Sequence, residues 1–504
     1  MKTQIRASMI VAVAGLAAAP AFAQVTGPSS SQSPYVLPTL AGVTTTSILT
    51  VGDSVGGYRM VGIPDGMGAL ASATSGNFSL FVNHELGASV GAVRAHGQTG
   101  AFVSRWEIDS SLNVIAGRDH NTSSADAFEY STGTGTWSNA PSPAQRWGRF
   151  CSADLAAPSA YKFGNLGTDA RLFLNGEEIG NEGRAYAHIV SGPNVNQTWH
   201  LPHLGRFSWE NAVASPFAQQ KTIVFGLDDS SPGQNYLYIG NKTDTGNDIE
   251  RAGLTNGSLY GIRVSGLPTE TRPQYAGGRF DLFNHGNVAN TTGLALQNAG
   301  NANGVTNFLR PEDGQWDPRP GHENDFYFVT TDRYNVPGTS PGNSRLYRMS
   351  FDDITNPTAG GEITLLIDGA LSGPQMMDNM TIDSLGRVLI QEDIGGQDAL
   401  SKIWLYDIAT GGLAQVAQHD PARFSPGGAS FLTRDEESSG IIDAKDTLGL
   451  GWFLLNVQAH YGIPGELVEG GQLLAMYVDP SIVPTPGAAS LLGLAGLVGL
   501  RRRR

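Results

Sequence analysis

Carboxylates close one short apolar run after another in this chain. Glu85 follows 80–84, Glu177 and Glu178 follow 171–176, Asp228 and Asp229 follow 222–227, and Glu392 and Asp393 follow 387–391. Asp332 closes a fifth run, 325–332, and a sixth, 452–458, ends in amides instead. Other acids open runs: Glu210, Glu312 with Asp313, and Asp378 with Asn379. Hard divalent cations take oxygen ligands from carboxylates and amides. Acids recurring at equivalent strand ends would converge if the strands stood around an axis. Converging like charges repel unless cations lie between them. The pattern therefore points to a multi-metal site. For any one pair alone, a solvated acidic turn is the competing explanation. Asp435 to Glu437 could bind calcium but reads more simply as a solvated loop, and no contiguous EF-hand loop is present.

Cys151 is the single cysteine. As a thiolate it would be a soft ligand, suited to a transition metal such as iron; otherwise it is a small buried apolar side chain. It has no disulfide partner in the chain. His84 and His188 are minor candidates for metal or phosphate contact. Neither a Gly-x-Ser-x-Gly elbow nor a His-Glu-x-x-His helix occurs, so serine-hydrolase and zincin chemistry is disfavoured. Arg310 and Arg206 lie beside acidic motifs. Each could grip phosphate oxygens through its planar fork, or simply pair with those acids.

The elements that must position these groups read as strands. With 65 Gly, 27 Pro and only 15% charged residues, the chain is a succession of short apolar runs punctuated by turns. Acidic turn, strand, acidic strand end and second strand recur. One unit runs 310–348, a second 375–407, and weaker copies start near 206 and near 64. One such unit cannot bury both faces of its sheet, whereas units stacked around an axis can. The expected fold is all-β, a propeller of about six blades, with a β-sandwich as alternative. The Gly/Asn/Ser-rich stretches 119–143 and 268–307 read as insertion loops.

Both ends carry targeting signatures. Residues 1–23 have a basic start, an apolar core and a small-x-small cleavage site, Ala21-Phe22-Ala23, as in a Sec-type secretory signal. Residues 24–45 form a Pro/Ser-rich linker and lead-in, and 46–480 the propeller. Residues 483–504 hold Val-Pro-Thr-Pro-Gly, an apolar run and four terminal arginines. That run is short for a membrane span; a short C-terminal helix is expected there. Removing both ends would strip six basic residues and no acid from a chain already at −14. Such a surface repels nucleic acid and attracts cations.

The tail resembles the PEP-CTERM sorting signal of Gram-negative bacteria. The resemblance implies transient membrane anchoring, recognition by exosortase-type sorting machinery, and release at the cell surface or outside the cell. The body resembles the PhoX-like alkaline phosphatase family. The matching pieces are Val82-Asn-His-Glu85, the Cys151 region with Glu177 and Glu178, Gly205-Arg-Phe-Ser-Trp-Glu210, Gly226-Leu-Asp-Asp229, Arg310-Pro-Glu-Asp313, Asp378-Asn379, Glu392-Asp393 and Asn456-Val-Gln458. They occur in family order across roughly 55–480. The resemblance implies an iron and calcium cluster at one end of a six-bladed propeller, and hydrolysis of phosphate monoesters. Cys151 and Glu178 would touch iron; Glu210 and Glu312 would bridge iron and calcium. The Sec-type signal departs from the family's usual twin-arginine route, which makes calcium the cofactor expected first and iron second. A non-catalytic, calcium-stabilised surface propeller and a phytase-like calcium-dependent esterase are the alternative functions.

Overall fold

The computed structural model describes residues 23–72, 74–139, 146–332, 344–397 and 399–486. The secretory signal up to residue 22 and the apolar C-terminal run with its arginines lie outside these residues. Among the described residues six blades, antiparallel except for one outer pairing each in the second and the sixth, stand around one axis. Their innermost strands are Pro64–Ala71, Phe150–Asp154, Trp209–Ala214, Pro311–Trp316, Met377–Ile382 and Glu436–Asp443. Each packs on the next around the ring, and the sixth packs on the first, so the ring is closed. Close approach is visible in two glycines. A Cβ on Gly66 in blade 1 would lie 2.3 Å from Ala153 N in blade 2, and one on Gly440 in blade 6 would lie 2.6 Å from Asp65 O.

Period-two alternation builds the interior. In the second strand of blade 1, Asn77–His84, Leu80 and Val82 face blade 6 while Phe81 faces blade 2. The same division repeats round the ring, giving one apolar wedge between each pair of neighbouring blades. Each large side chain removed from water contributes roughly 1.5–3 kcal/mol. The wedges thus fix the strands whose ends carry the acids.

The lead-in closes the ring from outside. Val36–Pro38 pairs with Leu413–His419 at the edge of blade 5. Val43–Thr50 pairs with Val468–Val478 in blade 6, and Ala23–Thr26 adds in parallel beyond it. The stretches expected as insertion loops hold elements of their own. Ala127–Ser131 and Thr136–Ser138 extend blade 2, while Gly278–Gly286 joins blade 3 to blade 4 and is followed by the helix Gly293–Ala302. Their Gly/Asn-rich composition hides the two-residue period, because edge strands need little apolar pattern. Among the described residues no helix is long and apolar enough to cross a membrane.

Candidate metal centre

One structural rule places the acids. The second residue of the six inner strands is, in order, Asp65, Cys151, Glu210, Glu312, Asp378 and Glu437. The first residue of each inner strand pairs with its neighbour strand. The residue just past that partner is Glu85, Glu178, Asp229, Thr331, Asp393 or His460. These two rings of positions meet at one mouth of the axis. In blades 1 to 5 the strand register slips between the first and fourth inner-strand residues. Such a bulge bends a strand and re-aims a side chain, here turning the second residue toward the axis. In four blades the residue just before the inner strand has positive φ: Ile63, Arg149, Arg310 and Met376, at 43 to 55°. Backbone held in that region by non-glycine residues clusters at functional sites.

The cavity at this mouth has a volume of about 190 Å³. On its wall are Glu85, Glu178, Glu210, Asp229, Glu312, Asp378, Asp393, Glu437 and Glu469, nine carboxylates facing only Arg149, Arg310 and His460 as basic groups. Ligand atoms gather in three groups, each within 4.8 Å: Asp65, Glu85 and Cys151; Cys151, Glu178 and Glu210; Glu210, Glu312 and Asp378. Cys151 belongs to two groups and Glu210 to two, so the donors form one unbroken arc across five blades. Cys151 Sγ lies 3.4 Å from Asp65 Oδ2.

The electrostatics are those of a site short of positive charge. Burial first, then neighbouring acids, push Asp65, Glu178, Glu210, Glu312 and Asp378 well above the usual carboxylate range. Arg149 and Arg310 also moderate Glu178 and Glu312. Asp393 is raised to about 8 by burial and Glu437. Burial and the charges of Asp65 and Glu210 push the Cys151 thiol up as well. Against burial, the Arg310 guanidinium holds Asp229 below its ordinary value.

The arginines are themselves gripped. Arg310 Nε and Nη2 donate to Asp229 at 2.8 and 2.9 Å, and Nη2 lies 2.9 Å from Glu312 Oε1. Arg149 Nη2 is 2.6 Å from Glu85 Oε1 and also pairs with Glu178. Half of the Arg149 side chain remains exposed, which sets it at the entrance.

Several candidates stand behind the wall rather than on it. Glu177 accepts from Gly148 N and from Arg184. Asp228 accepts from Ser208 N, Ser230 Oγ and Gln234 N. Glu392 accepts from Gln375 N, Lys402 N and Trp404 Nε1. Asp313 binds Asn211 and Met380 N, linking blades 3, 4 and 5. Asn379 spans the axis, donating to Ser152 Oγ and accepting from Gly440 N. Arg206 lies off the cavity, in a pair with Glu182 at 3.1 Å. His84 and His188 are buried and hydrogen-bonded inside the blades.

Sequence reasoning missed Asp65, Arg149, His460 and Glu469, and set Glu437 aside as a loop. The signal was available for Asp65 and Glu437: each stands one place into its run, as Glu210 and Glu312 do. Gln458, from the run ending in amides, donates to Asp65 Oδ2 at 3.0 Å and Glu85 Oε2 at 2.9 Å, joining blade 6 to blade 1.

The donor set fits bound cations on an independent observation. Asp65 Oδ1, Asn456 Oδ1 and Gln458 Oε1 are buried oxygens with no hydrogen-bond donor among the described residues. An acceptor left unpaired in the interior is costly, and a cation would satisfy it. Carboxylate and amide oxygens suit calcium, and the shared thiol suits a softer metal.

Comparison with known proteins gives the following. The family model described as Alkaline phosphatase PhoX matches residues 116–437. None of the curated proteins matches. The solved structure of Pseudomonas fluorescens PhoX in complex with vanadate, a transition state analogue, has a TM-score of 0.60 at 13% identity, covering 91% of this chain and 98% of that one. At that identity the likeness shows the fold. The periplasmic gluconolactonase PpgL of Pseudomonas aeruginosa has a TM-score of 0.33 at 12% identity, over 79% of this chain and 82% of that one.

Proposed function

This chain belongs to the PhoX alkaline phosphatase family, and from that premise we propose that it hydrolyses phosphate monoesters at the acidic mouth of its propeller. The family is one of metal-dependent phosphatases. The observation that carries the reading is the continuous arc of donors through Cys151 and Glu210. It is too acidic to receive an anionic ester unless cations are bound first.

Glu85, Glu178, Glu210, Glu312, Asp378 and Cys151 would hold those cations, calcium on the oxygens and iron at the thiol. Bound there, they would supply the positive charge that phosphoryl transfer needs. The chain's own contribution is orientation. Asp229 and Glu312 fix the plane of Arg310, so its fork is set before a phosphate arrives. Arg149 stands at the entrance, held by Glu85 and Glu178. Arg310 and Arg149 are the groups that would grip the non-bridging oxygens; Arg206 is too far out on its pair with Glu182 to share that work. Phosphate esters hydrolyse extremely slowly in water, so such charge placement is what catalysis here requires.

The targeting signatures place the enzyme's work outside the cytoplasm. Export is by a Sec-type signal, and the 483–504 tail is handled by exosortase-type machinery before the propeller, 46–480 with its 24–45 lead-in, is released at the surface. The decisive experiment is an assay of the mature chain, loaded with calcium and iron, on a chromogenic phosphomonoester. Turnover that Glu178→Gln and Glu312→Gln leave intact would sink the assignment. Calcium binding with no turnover at all would leave a calcium-stabilised surface propeller.

A further inference from the structure

We propose that Asp317, His322 and Asp325 form a second cation site, selective for a zinc-class divalent ion, at the end of blade 4 remote from the cavity. The three residues sit on the turn joining Pro311–Trp316 to Asp325–Thr330. Glu312, on the cavity wall, lies at the far end of the first of these strands. Five residue steps along the strand, at about 3.3 Å each, separate it from Asp317. The two sites share a hairpin and no ligand.

The ligand atoms of the three side chains all lie within 4.8 Å of one another. Asp317 and Asp325 face each other across the hairpin, with Asp317 N donating to Asp325 O at 3.0 Å. His322 Nδ1 stands 3.5 Å from Asp325 Oδ2. A turn-stabilising role explains part of this, because Arg319 takes both oxygens of Asp317, at 2.9 and 2.6 Å. Among the described residues, Asp325, which is buried, has the His322 imidazole as its side-chain hydrogen-bond partner, while the Arg319 guanidinium is committed to Asp317.

Tyr327 is the independent sign of a missing ligand. Its side chain is fully buried, at 0% exposure, and its hydroxyl has no hydrogen-bond partner among the described residues. Two residues beyond Asp325 on one strand, it shares that residue's face; across the ladder it pairs with Gln315, which lies on the face of Asp317. Asp317 and Asp325 are also, after burial itself, the groups that most raise its pKa. Yet neither acid accepts a hydrogen bond from it. A hydrated cation between the acids would give that oxygen its partner.

An imidazole with two carboxylates is a nitrogen and oxygen set. It suits zinc better than calcium, which takes six to eight oxygens. The ion would tie both ends of the turn, and so steady the strand that carries Glu312.

The test is isothermal titration of zinc chloride into the full chain after chelator treatment and reloading with iron and excess calcium, so that the cavity and its thiol are filled. The unaltered protein should take up one zinc ion per chain that His322→Gln and Asp325→Asn each weaken by about tenfold or more. Zinc should raise its melting temperature by about 2 °C and leave the variants' unchanged. Phosphomonoester turnover should be the same in all three proteins. Equal zinc stoichiometry, affinity and melting shift in the parent and both variants would overturn the site, whatever the outcome of the phosphatase assay.

Discussion

Glu177 and Glu178 are consecutive in the chain and part company at the end of their strand. Glu177 turns into the blade, where Arg184 Nε and Nη2 reach it at 2.6 and 2.9 Å and Gly148 N at 3.0 Å. Glu178 turns onto the cavity wall beside Arg149. Asp228 and Asp229 divide in the same way, as do Glu392 and Asp393. On the inner strands the order reverses: Glu312 and Asp378 face the cavity, while Asp313 and Asn379 tie neighbouring blades together. Each acidic doublet thus supplies one group to the site and one to the scaffold.

That division separates activity from stability. Glu178→Gln should lower phosphomonoester turnover by about 10²–10³-fold, the scale of losing one electrostatic contact to a transition state, and leave the urea midpoint nearly unchanged. Glu177→Gln removes one of the two carboxylates, with Glu129, that hold a mostly buried guanidinium. It should cost about 3 kcal/mol in urea unfolding, with activity of the surviving folded protein largely kept. If both substitutions strike the same property, the doublets are not divided in function.

Stability without cations should fall as pH rises. Asp393 is raised from 3.8 to about 8, Glu392 from 4.5 to about 7, Asp228 from 3.8 to about 7 and Asp313 from 3.8 to about 6. Between about pH 4 and pH 8 the folded chain therefore holds protons that the unfolded chain has released, and the unfolding free energy declines with pH across that window. Calcium should oppose the trend, because it competes with the protons of Asp393 and the other carboxylates on the cavity wall. The check is a melting series at pH 5 and pH 8, with chelator and with calcium. Chelation should lower the melting temperature far more at pH 8, and an equal drop at both pH values would contradict the carboxylate account.

The repeat of acidic strand ends and the closed ring were legible because both are written in local pattern. A two-residue apolar period marks a strand, and an acid at its end is visible in the chain. Which member of a doublet faces the axis was not. That choice depends on a bulge and on a left-handed residue such as Ile63 or Arg149, and neither leaves a compositional mark when the residue is not glycine. Arg206 and Arg149 show the cost. Both stand next to acidic motifs in the sequence, but only Arg149 occupies the left-handed position that turns a side chain toward the mouth. Asp65 shows a milder case: the hairpin of blade 1 sets it beside Glu85 and packing of blade 2 sets it beside Cys151, so its place one residue into its run was the one local sign of it.

Arg310 combines that left-handed backbone, at φ 55°, with a bidentate grip on Asp229. Lysine keeps the charge but not the fork. Arg310→Lys should lower kcat/KM by about 10²-fold, whereas Arg206→Lys should change it by less than about twofold, as for a surface pair. Steady-state kinetics on one chromogenic substrate reads both. Equal losses would mean that position on the wall does not decide which arginine serves the phosphate.

Cys151 decides whether the centre is of one metal kind or two. Its sulfur is shared by the group with Asp65 and Glu85 and the group with Glu178 and Glu210. Burial and those acids keep the thiol protonated in the bare protein, so only a bound cation could hold it as a thiolate. Serine has nearly the same shape but offers a hard oxygen that a calcium ion accepts and iron does not favour. Cys151→Ser should therefore strip about one iron per chain, read by elemental analysis and by loss of visible absorption, and leave calcium content and the calcium-dependent melting temperature in place. Turnover should fall with the iron. Unchanged iron content would remove the thiol from the ligand set, and the centre would then rest on carboxylates alone.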